Sequence, residues 1–164
     1  GLGLRTEDAG LAYGTFGVVA LTLGGIIGGI LASRKGLKYW IWPMALAITL
    51  PNAAYLLMAI YQPESFIWIY IAVATEQFGY GFGFTAYMLF MIYFSQGEHK
   101  TAHYSICTGF MALGMMIPGM AAGWIQEQLG YLNFFIFIMI TTIPTLLIIP
   151  FLKIDKDFGK AKKG

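Results

Sequence analysis

Apolar positions along the chain gather into five runs separated by short polar links. The runs extend over about Ala9 to Ala32, Tyr39 to Tyr61, Phe66 to Phe94, Ala102 to Ile125 and Leu132 to Leu152. The links read SRKGLK, QPES, SQGEHKT and QEQLGY. Each run is close to or above the roughly 20 residues that a spanning helix needs. The alternating segments of about ten residues expected of a transmembrane β-barrel are missing. The pattern predicts an all-α fold, a polytopic transmembrane helical bundle with five up-and-down spans. Its membrane domain occupies residues 1–152, and residues 153–164 form a basic, flexible tail.

Composition supports this picture. Of 164 residues, 58% are hydrophobic in type and 11% are charged, against about 25% charged in soluble domains. A soluble globule of this size could not hide so much apolar surface, whereas lipid accepts it on the outside. The distribution of charge says more than the net +2. One set of helix ends carries Arg34, Lys35, Lys38, Lys100, Lys153, Lys156, Lys160, Lys162 and Lys163, while the other carries only Arg5. Under the positive-inside rule the basic ends face the cytoplasm and the N-terminus lies outside. Glu7, Asp8, Glu64 and Glu127 then fall outside as well. The expected location is the inner (plasma) membrane, with several passes. Tyr39, Trp40, Trp42, Phe66, Trp68, Tyr70, Trp124 and Tyr131 stand near run ends, where amphipathic rings anchor at the headgroups. The chain opens with Gly1 and a polar, Gly-rich stretch, which suggests a piece of a longer protein.

Glycines four apart recur as Gly10/Gly14, Gly24/Gly28, Gly25/Gly29, Gly79/Gly83 and Gly119/Gly123. On a helix such pairs share a face and let backbones approach closely. Pro51, Pro118 and Pro144 lie inside runs two, four and five, and each predicts a kink. The GYGFGF stretch, residues 79–84, reads as the weakest helical segment. Neither it nor the single Cys107 carries a chemical motif. His99 and His103 stand four apart beside Glu98 in a link, with no third metal ligand in view, so no metal and no cofactor are expected.

Glu76 is the one acid deep in any run, about ten residues into the third. A carboxylate in hydrocarbon costs several kcal/mol unless paired, hydrated or protonated. It must therefore face the bundle interior or a wet cavity, as a proton-coupling or substrate-contacting group, or as a protonated carboxyl in one interhelical hydrogen bond. Gln77, Asn52, Tyr55 and Tyr80 are the polar side chains expected to line the same cavity, together with Thr75 and Thr85. Asn52 stands out because Pro51 beside it frees backbone carbonyls.

The stretch GGILASRKGLK resembles the cytoplasmic loop motif of the major facilitator superfamily. Gly29, Leu31, Ala32, Arg34, Gly36 and Lys38 match it, while Ser33 stands where the family has an acid, which weakens a full charge relay. Downstream, TEQFGYGFGFTAYMLFMIYFS and PGMAAGWIQEQLGYLNFFIF resemble the last helices of AmpG-type muropeptide permeases and their acetyl-coenzyme A transporter relatives. Glu76, Gly81, Gly83 and Ala86 fall in that family's acid-then-glycine span. Gly119, Ala122, Gly123, Trp124, Glu127, Gly130, Tyr131, Phe134 and Phe135 fall in its glycine-tryptophan turn. The resemblance implies spans 8 to 12 of a two-lobed secondary transporter that works by alternating access, with its substrate site at mid-membrane between the lobes.

The expected function is thus the C-terminal lobe of a proton-coupled solute permease for a muropeptide-like sugar-peptide. A transporter of the acetyl-coenzyme A type and a non-transporting assembly or scaffold subunit are the alternatives. Its expected partners are the lipid bilayer, an N-terminal lobe of the same longer chain, a small-molecule solute and protons; no nucleic acid is implied. With no Asp in any run and both His in a link, an enzyme is not expected.

Overall fold

The computed structural model describes residues 10–61 and 65–161. Arg5, Glu7, Asp8, Glu64, Lys162 and Lys163 of the charge tally lie outside the described residues. Regular structure among the described residues is entirely helical. Helix α1 spans Ala12–Lys35, and its first turn, Ala12–Gly17, is a wide π turn. Helices α2 (Leu37–Thr49) and α3 (Pro51–Tyr61) follow, then α4 (Phe66–Phe94) and α5 (Lys100–Ile148). A 3₁₀ turn, Ile149–Phe151, ends α5. Among the described residues, three segments are long and apolar enough to cross a membrane: Ala12–Lys35, Leu37–Tyr61 and Lys100–Phe151. The last holds 52 residues, more than twice what one crossing takes. It is two helices in sequence, because Gly130 (φ 73°, ψ 166°) turns the backbone in its interior.

Helix α4 is the centre of the bundle. Its hydrogen-bonded course is unbroken through residues 79–84, so the stretch expected to be the weakest is regular helix. The glycines there serve packing on two sides. A Cβ at Gly79 would land on the Ala47 carbonyl oxygen, and one at Gly83 on the Met44 carbonyl oxygen and Ile48, both in α2. A Cβ at Gly81 would land on the Leu21 carbonyl oxygen of α1. Gly24 and Gly28 of α1 answer from the other side: Cβ atoms there would meet Phe82 N at 2.9 Å and Thr85 Oγ1 at 2.9 Å. The Thr85 hydroxyl crosses the same seam to donate to Gly25 O at 3.3 Å. The other predicted pairs do not behave this way: Gly10, Gly14, Gly29, Gly119 and Gly123 face open space. Their small size is not used by a contact among the described residues.

Apolar cores flank this glycine layer at both ends. One joins Ala32, Leu37, Met44, Phe82, Ala86 and Ile154, and the other joins Ala12, Met58, Ile69, Ala72 and Val73. Helix α5 takes no fully buried residue into either; Met120 is 82% exposed and Phe110 70%. Of the three prolines expected to kink their helices, Pro51 alone separates two helices, α2 and α3. Helical backbone runs through Pro118 and Pro144.

The tail differs from the flexible segment expected. Residues 152–161 fold back onto the junction of α1 and α2. Leu37 N donates to Phe158 O at 2.9 Å, and Ala161 N donates to Ser33 O at 2.8 Å. Both bonds satisfy backbone groups that helix ends leave without partners. Ile154 is buried in the core, and Phe158 lies edge-on to Tyr93 of α4, with centroids 4.8 Å apart. Gly36, at the junction, has φ 85° and ψ 161°, and a Cβ there would meet Lys156 O at 2.9 Å. Asp157 and Lys160 form a surface pair at 2.6 Å. The hydrogen bond from Lys160, with its charge, holds the exposed Asp157 carboxyl below the usual carboxylate range. The α1–α2 junction, the end of α4 and the tail therefore share one end of the bundle, where Arg34, Lys35, Lys38, Lys153, Lys156 and Lys160 collect.

Two predictions follow from the packing. Replacing Gly81 with Ala should destabilise the full-length protein in detergent by more than the about 1–3 kcal/mol of ordinary overpacking, because backbone is what it strikes. Replacing Gly119 with Ala should stay within about 0.5 kcal/mol. Equal shifts of the thermal midpoint would contradict the two-sided seam. Gly36→Ala forces a glycine-only conformation, at a cost of about 1–3 kcal/mol, and should release the tail. Trypsin cleavage after Lys156 should then speed up by about tenfold or more, and unchanged cleavage would refute the docked tail.

Candidate functional site

The sequence marks Glu76 as an expensive residue, and the structure shows how it is housed. It projects, half-buried, from α4 towards α1 and α3. The Tyr55 hydroxyl, on α3, makes a short hydrogen bond to Glu76 Oε2. The Tyr13 hydroxyl, on α1, donates to the same oxygen at 3.4 Å. The two phenols also lie 3.2 Å apart, close enough to bond each other. One carboxylate oxygen thus ties three helices together.

Local structure presents each group. Tyr13 sits in the π turn, whose extra residue per turn rotates it relative to an α-helical course; such turns are frequent at functional sites. The Leu50–Pro51 break lets α3 set its own direction, so that Tyr55 reaches α4. Aromatic rings from the second half of α5 close the cluster. Phe135 stacks on Tyr55 with centroids 5.9 Å apart and planes 13° from parallel. Tyr131 meets Phe135 edge-on at 5.0 Å. The result is an acid with two hydroxyls beside a wall of aromatic faces. It can hold or release a proton, and it can offer a ligand one charged acceptor next to flat apolar surface.

Among the residues expected to join Glu76, only Tyr55 bonds it. Gln77 is half-buried beside Gly17 of α1, where a Cβ would lie 3.2 Å from its Cγ. Asn52 is half-buried one turn before Tyr55, and among the described residues its side chain makes no hydrogen bond. The Pro51 break serves chain direction, without drawing Asn52 to the acid. Tyr80 stacks on Phe84 at 5.5 Å, a turn away from the cluster. Of the loop motif, Gly36 and Ala32 are buried under the tail, whereas Gly29, Arg34 and Lys38 are exposed. Tyr13 was absent from the expected set. Its signal was a hydroxyl in a run that otherwise offers only threonines as polar groups. Phe135 and Tyr131 gave no chemical signal of their own.

Infrared difference spectroscopy of the full-length protein tests this arrangement. Tyr55→Phe should shift the carboxyl bands that Glu76→Gln removes, and Tyr80→Phe should leave them in place. Unmoved bands in Tyr55→Phe would dissolve the cluster.

No family model matches the chain. Curated relatives do. A protein of Rickettsia prowazekii (strain Madrid E) named as an AmpG 1 transporter is 32% identical over 133 residues, which is 81% of this chain and 30% of the relative. Its counterpart in Rickettsia bellii (strain RML369-C) is 28% identical over 134 residues, covering 82% of this chain and 32% of the relative. The anhydromuropeptide permease of Escherichia coli (strain K12) is 24% identical over 149 residues, covering 91% of this chain and 30% of the relative. The chain spans about a third of the length of these relatives. Together with the apolar helices, the matches make it a multi-pass membrane protein, related over more than four fifths of its length to the AmpG-type transporters.

Proposed function

We propose that this chain is the C-terminal part of a secondary active transporter of the major facilitator type, and that Glu76 is its proton-binding group. On this reading five crossings, residues 9–32, 39–61, 66–94, 102–125 and 132–152, form most of one lobe. An N-terminal lobe of the same longer protein supplies the rest of the substrate path. The basic end faces the cytoplasm, across the inner membrane.

The observation that carries the reading is the sharing of one Glu76 oxygen by phenols from two other helices. A carboxylate accepts from both phenols at once. A protonated carboxyl has a proton of its own to donate, so its hydrogen-bonding pattern must change. Protonation on Oε2 removes the shared acceptor and adds a donor, which is the kind of discrete, local change that biases a two-state element. The aromatic faces of Phe135 and Tyr131 suit a sugar-bearing solute, and the relatives named as permeases support a muropeptide-like sugar-peptide as cargo.

Proteoliposomes holding the full-length transporter provide the test. Glu76→Gln should abolish uptake driven by a pH gradient while leaving solute exchange at equal pH. Tyr55→Phe removes one hydrogen bond to a charged group, worth about 1.5–3 kcal/mol, and should slow gradient-driven uptake by about 10- to 100-fold. Intact gradient-driven uptake in Glu76→Gln would eliminate the acid as the coupling group.

A further inference from the structure

A concavity lies apart from the acid, between α2, α4 and the end of α5. It has a volume of about 250 Å³ and is lined by residues that include Ile41, Ile48, Ala86, Phe90, Ile148 and Leu152. No charged side chain lines it, and no residue of the Glu76 cluster does. Thr49, one of its polar lining residues, spends its hydroxyl on its own helix, donating towards Ala45 O at 3.1 Å and Leu46 O at 3.3 Å. Such a mostly apolar surface suits a sugar-peptide poorly, but it offers methylene groups close packing on several sides.

Two lysines neighbour its lining in the sequence at the tail end. Lys38 precedes Ile41 by one helical turn, and residues 38, 41, 45 and 48 repeat at the spacing of one helix face. Lys153 directly follows Leu152, at the other lip. Both lysines are exposed. Of the nearby acids, Asp157 pairs with Lys160 at 2.6 Å, and Asp155 accepts the Asp157 N–H at 2.8 Å while keeping its charge. An apolar slot with two exposed lysines next to its lining residues matches a molecule with a hydrocarbon chain and an anionic head.

We propose that this cleft holds one acyl chain of an anionic phospholipid, with its phosphate between Lys38 and Lys153. The site is separate from the transport path and stands whether or not Glu76 carries the proton. The lipid binds from the bilayer side and fills space between α2 and the end of α5.

Native mass spectrometry of the full-length transporter tests it, with phosphatidylglycerol and phosphatidylcholine of identical chains as the two probes. Phosphatidylglycerol should stay bound through delipidation and phosphatidylcholine should not. The double variant Lys38→Gln, Lys153→Gln should cut phosphatidylglycerol retention by about thirtyfold, from the attraction of two basic residues to anionic lipid. Ala45→Phe, which fills the slot without touching the charges, should lower retention as well. Equal retention of the two lipids, or full retention in the lysine variant, would overturn the headgroup site. Retention of neither lipid would show that the cleft holds no tightly bound phospholipid and overturn the proposal as a whole. The two-lipid comparison on the unaltered protein decides the matter even if a variant fails to fold.

Discussion

The backbone of α4 lies against the backbones of two neighbours at once, and three glycines make that possible. Inside a bilayer, exchanging lipid for helix brings little hydrophobic gain, so close packing and interhelical hydrogen bonds must supply the association. Gly79 and Gly83 open one face of α4 to α2, while Gly81 opens another to α1. Both flanking cores form around helices already drawn together at this layer. The reach of the polar groups depends on it too. A tyrosine hydroxyl on α1 meets a carboxylate on α4 only when the two axes run close.

That closeness explains how an acid is tolerated where the sequence puts it. Glu76 is not neutralised by a lysine or arginine within hydrogen-bonding distance among the described residues. Two phenols solvate it, and these are donors that bring no opposing charge of their own. Such a seat satisfies the carboxylate oxygen with hydrogen bonds alone, where a salt bridge would bring a second charge into the bundle. The aromatic wall of Phe135 and Tyr131 is part of the same seat, since it holds Tyr55 by stacking. The tail contributes at the opposite end. It supplies backbone partners to a tight junction that two abutting helix termini could not satisfy alone.

Much of this was legible in the residues, for reasons that can be named. The all-α class follows from long charge-free runs, and Glu76 stood out because a carboxylate in such a run has few physical excuses. Tyr55 was visible as a polar group on an apolar helix. Tyr13 was harder to see, because a tyrosine near the end of a run reads equally well as a headgroup anchor. Glycine spacing showed which faces could pack closely but not which ones do: Gly24/Gly28 and Gly79/Gly83 have partners, and Gly10/Gly14 does not. The stretch KIDKDFGKAKKG looked like a solvated tail because its charges dominate. Ile154 and Phe158 were the apolar pair that betrayed its docking.

The π turn at Ala12–Gly17 carries a consequence of arithmetic. An α-helix advances about 100° per residue, 3.6 to the turn, and a wide turn absorbs one residue more than that rhythm allows. Side chains ahead of it are therefore offset in azimuth from those behind. Tyr13 bonds the acid of α4 while Gly24 and Gly28 meet Phe78, Phe82 and Thr85 of the same helix, so one helix serves both contacts across its wide turn. Residue count in that turn is as much a determinant of the acid's surroundings as residue type.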